Sequence, residues 1–291
     1  MNSASRDSPD RATLLQLKAP LNLPVEADCI TPDRFIGLGS REVATLPVLC
    51  GRRWLALGDL FTVSGDGAAE IVLEGDLSHA KRIGQGMAQG RITVHGNVGL
   101  HLGTRMSGGE IIVQGNAAAW AGAQMAGGMI RVYGNAGPLL GGTYPGEARG
   151  MSGGTILVQG DAGSRAGERM RRGLIVVQGN AGEFAGACMI AGSLFVCGTL
   201  GARAGAGMKR GSIVALGGLG AELLPTFRSA CRYHPTFLPL YLHQLQAWGL
   251  PVSPQQAEGL YHRYTGDITT VGKGEILVYD EYCISPLGDQ P

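Results

Sequence analysis

The stretch Gly103-Thr-Arg-Met106-Ser-Gly-Gly109-Glu-Ile111-Ile-Val113-Gln-Gly115-Asn116 decides the fold, because the chain carries it in seven versions. Methionines recur at Met87, Met106, Met125, Met151, Met170, Met189 and Met208, in steps of 19, 19, 26, 19, 19 and 19 residues. A glycine stands three residues after each (Gly90, Gly109, Gly128, Gly154, Gly173, Gly192, Gly211), and another six residues further on. Between the two glycines lie apolar residues spaced by two: Ile92 and Val94, Ile111 and Val113, Ile130 and Val132, Ile156 and Val158, Ile175 and Val177, Leu194 and Val196, Ile213 and Ala215. Spacing by two is the period of a strand. A unit of 19 residues is too short for paired helices, which need about 33. Asn97, Asn116, Asn135, Asp161 and Asn180 follow the second glycine, where a short polar side chain suits a turn. A third glycine precedes each methionine by three residues, except that Ala148 precedes Met151.

Short strands and glycine corners at a fixed period predict an all-β fold: a right-handed parallel β-helix of about seven to eight coils, with an N-terminal cap and a C-terminal helical extension. Stacked coils pair strand on strand about 4.8 Å apart, so like residues form interior ladders. The Met ladder reads as core filler, since Met is flexible and apolar. Ile71-Val-Leu73-Glu-Gly75 reads as an imperfect extra coil. The predicted organisation is a disordered tail over 1–12, an N-terminal cap over 13–66, the β-helix over 67–221 and an extension over 222–291. In the extension, Phe237, Leu238, Tyr241, Leu242, Leu245 and Trp248 predict an amphipathic helix over about 236–249. The segment 264–278 predicts a final strand. The long step of 26 places a seven-residue insertion at Gly141–Ala148. Insertions in repeat proteins are loops, often on a functional face.

Composition excludes several classes. A net charge of +1 gives no global field toward nucleic acid or membrane. There is no apolar run of 18 residues and no signal-like start, so a cytoplasmic protein is expected. The six cysteines show no C-x-x-C spacing and read as reduced thiols without a metal. The glycines of Gly201-Ala-Arg-Ala-Gly205-Ala-Gly207 fall in phase with the coils and precede no helix, against a dinucleotide loop. No acid–base pair stands out, so no catalytic residue is assigned.

Two columns carry surface information. The residue between the paired apolar positions points outward and reads Thr93, Ile112, Arg131, Leu157, Val176, Phe195 and Val214. Such an apolar strip is covered either by the chain's own termini or by a partner. Its length favours a subunit interface at Ile112, Leu157, Val176, Phe195 and Val214. Beside the methionines stand Arg169, Arg171, Arg172, Lys209 and Arg210, expected within neighbouring turns. They read as a solvated or interface edge, or as a site for a polyanionic ligand or an acidic partner.

The unit G-[ND]-x-G-x-x-x-G-x-x-M-x-x-G-x-I-x-V-x-G resembles the domain shared by the C-type subunit of formylmethanofuran dehydrogenase and the C-terminal region of glutamate synthase. Ile30-Thr-Pro-Asp-Arg-Phe-Ile-Gly37, Leu57-Gly-Asp-Leu-Phe61, Tyr264-Thr-Gly-Asp267 and Gly272-Lys-Gly-Glu275 resemble the former. The Arg-rich, Lys-poor composition points to its bacterial formyltransferase/hydrolase form. That resemblance implies a noncatalytic scaffold in a heteromer with A-type (amidohydrolase-like), B-type and D-type (formyltransferase) subunits. The complex would move formyl groups from a tetrahydromethanopterin-type carrier to a methanofuran-type carrier, on the way from formaldehyde to formate. The alternatives are the C-type subunit of an archaeal-type dehydrogenase and a glutamate-synthase-like structural domain.

Overall fold

The computed structural model describes residues 12–65 and 69–280. The tail predicted over 1–12 and the residues after 280 therefore lie outside the described residues, apart from Ala12. The fold is mostly β, with one 13-stranded sheet, one four-stranded sheet and a few short helices. The strands Glu70–Glu74, Arg91–His95, Glu110–Val113, Met129–Val132, Thr155–Val158, Leu174–Val177, Ser193–Val196 and Arg210–Ala215 pair in parallel, each with the next. Their register sets repeat on repeat: Ile111 opposes Ile130, and Val113 opposes Val132. A second row of parallel bridges runs through Leu77, Val98, Ala117, Ala136, Ala162, Ala181, Leu200 and Leu219. Successive units therefore meet along at least two lines.

The repeat residues explain this stacking. The seven repeat methionines are fully buried, and each fills the space that a glycine of the next unit leaves. A β-carbon on Gly128 would lie 2.7 Å from Met106 Cε and 2.7 Å from the Gly109 carbonyl oxygen. The asparagines do more than close their own turns. Asn97 Oδ1 accepts the Asn116 N–H at 2.9 Å, Asn116 that of Asn135 at 2.8 Å, and Asn135 that of Asp161 at 2.8 Å. Asp161 and Asn180 continue the ladder to Thr199. Gly128→Ala is expected to destabilise by at least about 2 kcal/mol, from left-handed backbone at φ +82° and contact with fixed backbone. Thermal unfolding checks it, and a change below about 0.5 kcal/mol would contradict this packing.

The long unit keeps its third glycine, although Ala148 stands at the usual offset from Met151. Gly141 adopts φ +63° and packs on Ile156 and Ile175, as Gly122 packs on Ile130 and Ile156. Met151 N–H bonds to the Gly141 carbonyl as Met125 N–H bonds to that of Gly122. Gly141 is thus the third glycine of its unit, and the extra residues follow it.

Both ends of the ladder are extended. Thr13–Leu17 pairs in parallel with Glu70–Glu74 and antiparallel with Phe61–Ser64. At the other end Lys273–Tyr279 pairs in parallel with Arg210–Ala215, and Gly274 takes the place against Met208. Asp267 fastens this join by accepting the Gly207 N–H at 2.9 Å, while the Thr270 hydroxyl donates to the Met208 carbonyl at 2.6 Å.

The outward column brings a correction. Leu157, Val176, Phe195 and Val214, expected at a subunit interface, are 0–5 % exposed within this one chain. They pack in a cluster with Leu238, Leu242 and Leu245 of the helix Leu238–Ala247, followed by Leu250 and Val252. Phe195 stacks on Tyr241 at 5.4 Å. The chain's own C-terminal segment covers the strip because its leucines recur at helical spacing over a flat apolar sheet. Ile112 lies outside that cover and is half-buried.

Candidate functional site

A third column runs along one corner of the stack, five residues before each methionine in the regular units. Arg82, His101, Trp120, Leu139, Arg165, Phe184 and Arg203 all adopt left-handed backbone, with φ between 58° and 66°. Such a conformation costs a non-glycine residue about 1–2 kcal/mol. From Arg82 through Phe184 it aims the N–H at the neighbouring unit: His101 donates to the Ala119 carbonyl, Trp120 to Pro138, Arg165 to Glu183 and Phe184 to Ala202. The side chains are held in a row. His101 stacks on Trp120 at 5.3 Å. Arg165 and Arg203 sandwich Phe184 at 5.7 Å and 5.4 Å from its centroid, a cation–π arrangement.

The inserted loop folds back over this row. Tyr144 Oη lies 2.8 Å from His101 Nδ1 and 3.0 Å from the buried Thr104 hydroxyl. Its ring stacks on Trp120 at 6.2 Å. Glu147 pairs with Arg105 at 3.6 Å, and Arg105 Nε donates to Gln124 Oε1 at 2.9 Å. Clefts open on both sides of Tyr144. One of about 410 Å³ includes Trp120, Leu139, Tyr144, Pro145, Arg165 and Arg169 in its walls. The other, of about 320 Å³, is lined by Arg82, Gln85, Thr104, Arg105 and Tyr144. Flat rings and guanidinium groups side by side suit a planar or anionic group.

Burial, then the positive charge of Arg82, lowers the His101 pKa below its ordinary value of 6.5. The folded state therefore favours the neutral ring, whose Nδ1 can accept the Tyr144 hydroxyl proton. That contribution is complete above pH 6.5 and is lost as pH falls through the lowered folded-state value. Acidification is thus expected to release the loop and change the Trp120 environment. Tyr144→Phe should loosen the loop by about 1 kcal/mol and change the pH response, since His101 still titrates against Trp120 but no longer holds the loop. Tryptophan fluorescence against pH checks this, and identical curves for the two proteins would refute the latch.

The basic residues are placed differently from expectation. Arg171, Ile190 and Lys209 occupy equivalent positions, their N–H groups bonding to Met151, Met170 and Met189 carbonyls. Ile190 thus separates Arg171 from Lys209, and Ala191 likewise separates Arg172 from Arg210. Two steps of the stack set each pair about 9.6 Å apart. Arg169 belongs to the large cleft. The corner row was missed because it has no single residue type; its signal was the constant offset from Met, interrupted by the insertion. Among the described residues no group of three or more His, Cys, Asp or Glu could hold a metal ion. The five described cysteines are free; burial pushes Cys29 up to about 12 and Cys197 to about 11. No described helix is long and apolar enough to cross a membrane.

A parallel stack whose polar positions bond unit to unit, with corner side chains in rows, defines a repeat-built β protein that presents surfaces. Comparison sharpens this. No family model matches the chain. It is 41 % identical over 95 residues to the C-type subunit of the tungsten-containing formylmethanofuran dehydrogenase 2 of Methanothermobacter thermautotrophicus, covering 31 % of this chain and 35 % of that relative. It is 39 % identical over 88 residues to the C-type subunit of the formyltransferase/hydrolase complex Fhc of Methylorubrum extorquens, covering 30 % and 33 %. These matched segments span only about a third of the curated relatives. The structural agreement is wider: a chain in the crystal structure of the formyltransferase/hydrolase complex FhcABCD from Methylorubrum extorquens, in complex with methylofuran, matches with TM-score 0.86 and 37 % identity. The match covers 92 % of this chain and all of that one. The chain therefore belongs to the family of C-type subunits of formylmethanofuran dehydrogenase and of the formyltransferase/hydrolase complex.

Proposed function

We propose that this chain is the scaffold subunit of a formyltransferase/hydrolase complex acting on a methanofuran-type carrier in one-carbon metabolism. The observation that carries the reading is the match over the full length of a chain in FhcABCD. Its partners would be A-type (amidohydrolase-like), B-type and D-type (formyltransferase) subunits, in the cytoplasm. A tetrahydromethanopterin-type carrier would deliver the formyl group. The archaeal-type dehydrogenase is the second reading, favoured by the local identity to the tungsten-containing relative. The noncatalytic role is supported by how the repeat's polar residues are used. The Asn97–Asn180 side chains are spent on stacking, and Glu70, Arg91, Glu110 and Arg131 neutralise one another along the sheet.

The parallel register and the second row of bridges support a right-handed parallel β-helix, since parallel crossovers are right-handed in about 98 % of cases. In this reading 13–66 forms the N-terminal cap, 67–221 the coils, and 222–291 an extension that covers the sheet and returns a last strand. Ile112 remains a candidate interface position. Arg169, Arg171, Arg172, Lys209 and Arg210 would attract acidic residues of a partner or a polyanionic carrier. They do so as separated charges, each contributing about 0–1 kcal/mol.

Affinity purification of the tagged native protein, with identification of the co-purifying subunits, tests the proposal. Formyltransferase and hydrolase activities should co-elute with the chain. A chain that elutes alone, or alone retains either activity, would overturn the scaffold reading. Raising salt during the same purification should weaken any contact made by the basic residues.

A further inference from the structure

The helix Leu238–Ala247 has a second face. Leu238, Leu242 and Leu245 are buried against the sheet. Leu240 stands 76 % exposed and Phe237, at the N-cap, 37 %. Phe237, Leu240, Gln244 and Ala247 are separated by three, four and three residues, so they line one stripe, and all four are exposed. A lone exposed leucine needs no explanation. The surrounding composition does. No Asp, Glu, Lys or Arg occurs in the 25 residues from Tyr233 to Ala257, in a chain that is 16 % charged. The exposed polar members of this run carry only imidazole, hydroxyl or amide groups: His234, Thr236, His243, Gln244, Gln246 and Gln255. Of the charges that flank it, Arg232 is engaged with Asp280 at 3.3 Å, and Glu258 stands exposed just past the other end.

A helix lying on a sheet ordinarily turns a charged face to water. Loss of charge around an aromatic and aliphatic centre is instead the compositional mark of an interface core. We infer that the stripe Phe237–Leu240–Gln244–Ala247 docks an uncharged, apolar helical face of another subunit. The inference rests on the heteromeric complex proposed above. Charge matching selects this occupant: a charged partner would be desolvated here with no opposite charge to meet it. The small Ala247 at one end lets a second helix approach closely.

The test uses the full chain with Leu240→Lys, co-expressed with the other subunits. Because Leu240 is already in water, the isolated chain should keep its melting temperature. Its retention on a tagged partner subunit should fall at least tenfold. Ile268→Lys, at a position 50 % exposed outside the stripe, should retain the partner as wild type does. Full retention of Leu240→Lys overturns the inference while leaving the complex reading intact. Equal loss in Ile268→Lys also overturns it, since the effect is then not local to the stripe. A wild-type chain that captures no subunit sinks the complex reading, and the heteromeric occupant with it. A wild-type dimer in light scattering that Leu240→Lys returns to monomer assigns the stripe to a second copy and overturns the partner named here.

Discussion

Val177→Asp is expected to abolish folding of the chain, with less than about a tenth of wild-type yield in soluble, cooperatively unfolding protein. Val177 is fully buried, between Val158 and Val196 in register on the neighbouring strands. A carboxylate there would lose its water and find no partner. It would either ionise at a large cost or bind a proton far above its ordinary pKa. The wild-type contacts of the valine methyl groups are lost as well. The combined penalty exceeds about 4 kcal/mol, a large share of the roughly 5–15 kcal/mol that stabilises most domains. Circular dichroism and thermal unfolding decide it. A variant that melts within a few degrees of wild type would show that this column does not face inward.

Phe195→Asp has the next largest effect, and its expected character differs. Phe195 is also fully buried, but under the chain's own helix. The substitution removes the stacked contact with Tyr241 and places a charge in an apolar seam. Truncating a buried phenylalanine costs about 3–5 kcal/mol, and the carboxylate adds to that. Here, however, the seam can open. The segment 234–257 is bounded by strands Arg228–Tyr233 and Tyr261–Gly266 that pair with each other, so it can lift away while the ladder stays paired. Limited proteolysis should therefore cut within 234–257 in the variant, while the β-sheet signal in circular dichroism persists. Loss of all structure, equal to that of Val177→Asp, would refute the distinction between the two sides of the sheet. An unchanged cleavage pattern would refute the cover by the helix.

The contrast between these residues shows what a periodic sequence makes legible. Val177 and Phe195 both sit in apolar columns, and the alternation of the strand separates their sides. Nothing local says what lies over Phe195. The cover comes from residues more than 40 positions away, in a helix whose leucines follow another period. The apolar strip was therefore readable as something covered, and the identity of the cover was not. The basic residues show the same limit. Their offsets from Met170 and Met208 put Arg171 and Lys209 in one column, yet the intervening Met189 unit supplies Ile190 and breaks the row.

The ladder of parallel strands, the burial of the seven repeat methionines and the glycine corners are all written in the period, because each rests on contacts repeated at a constant spacing. Gly109, Gly128 and Gly154 are needed where a methionine of the previous unit fills their space, and that relation is written in the period. Tertiary structure alone decided which face the C-terminal helix occupies, how Tyr144 reaches back to His101, and that Arg82, His101, Trp120 and Phe184 share a left-handed corner. The first two are contacts between segments whose separation follows no period. The third depends on backbone angles that residue type disfavours and that inter-unit hydrogen bonds impose.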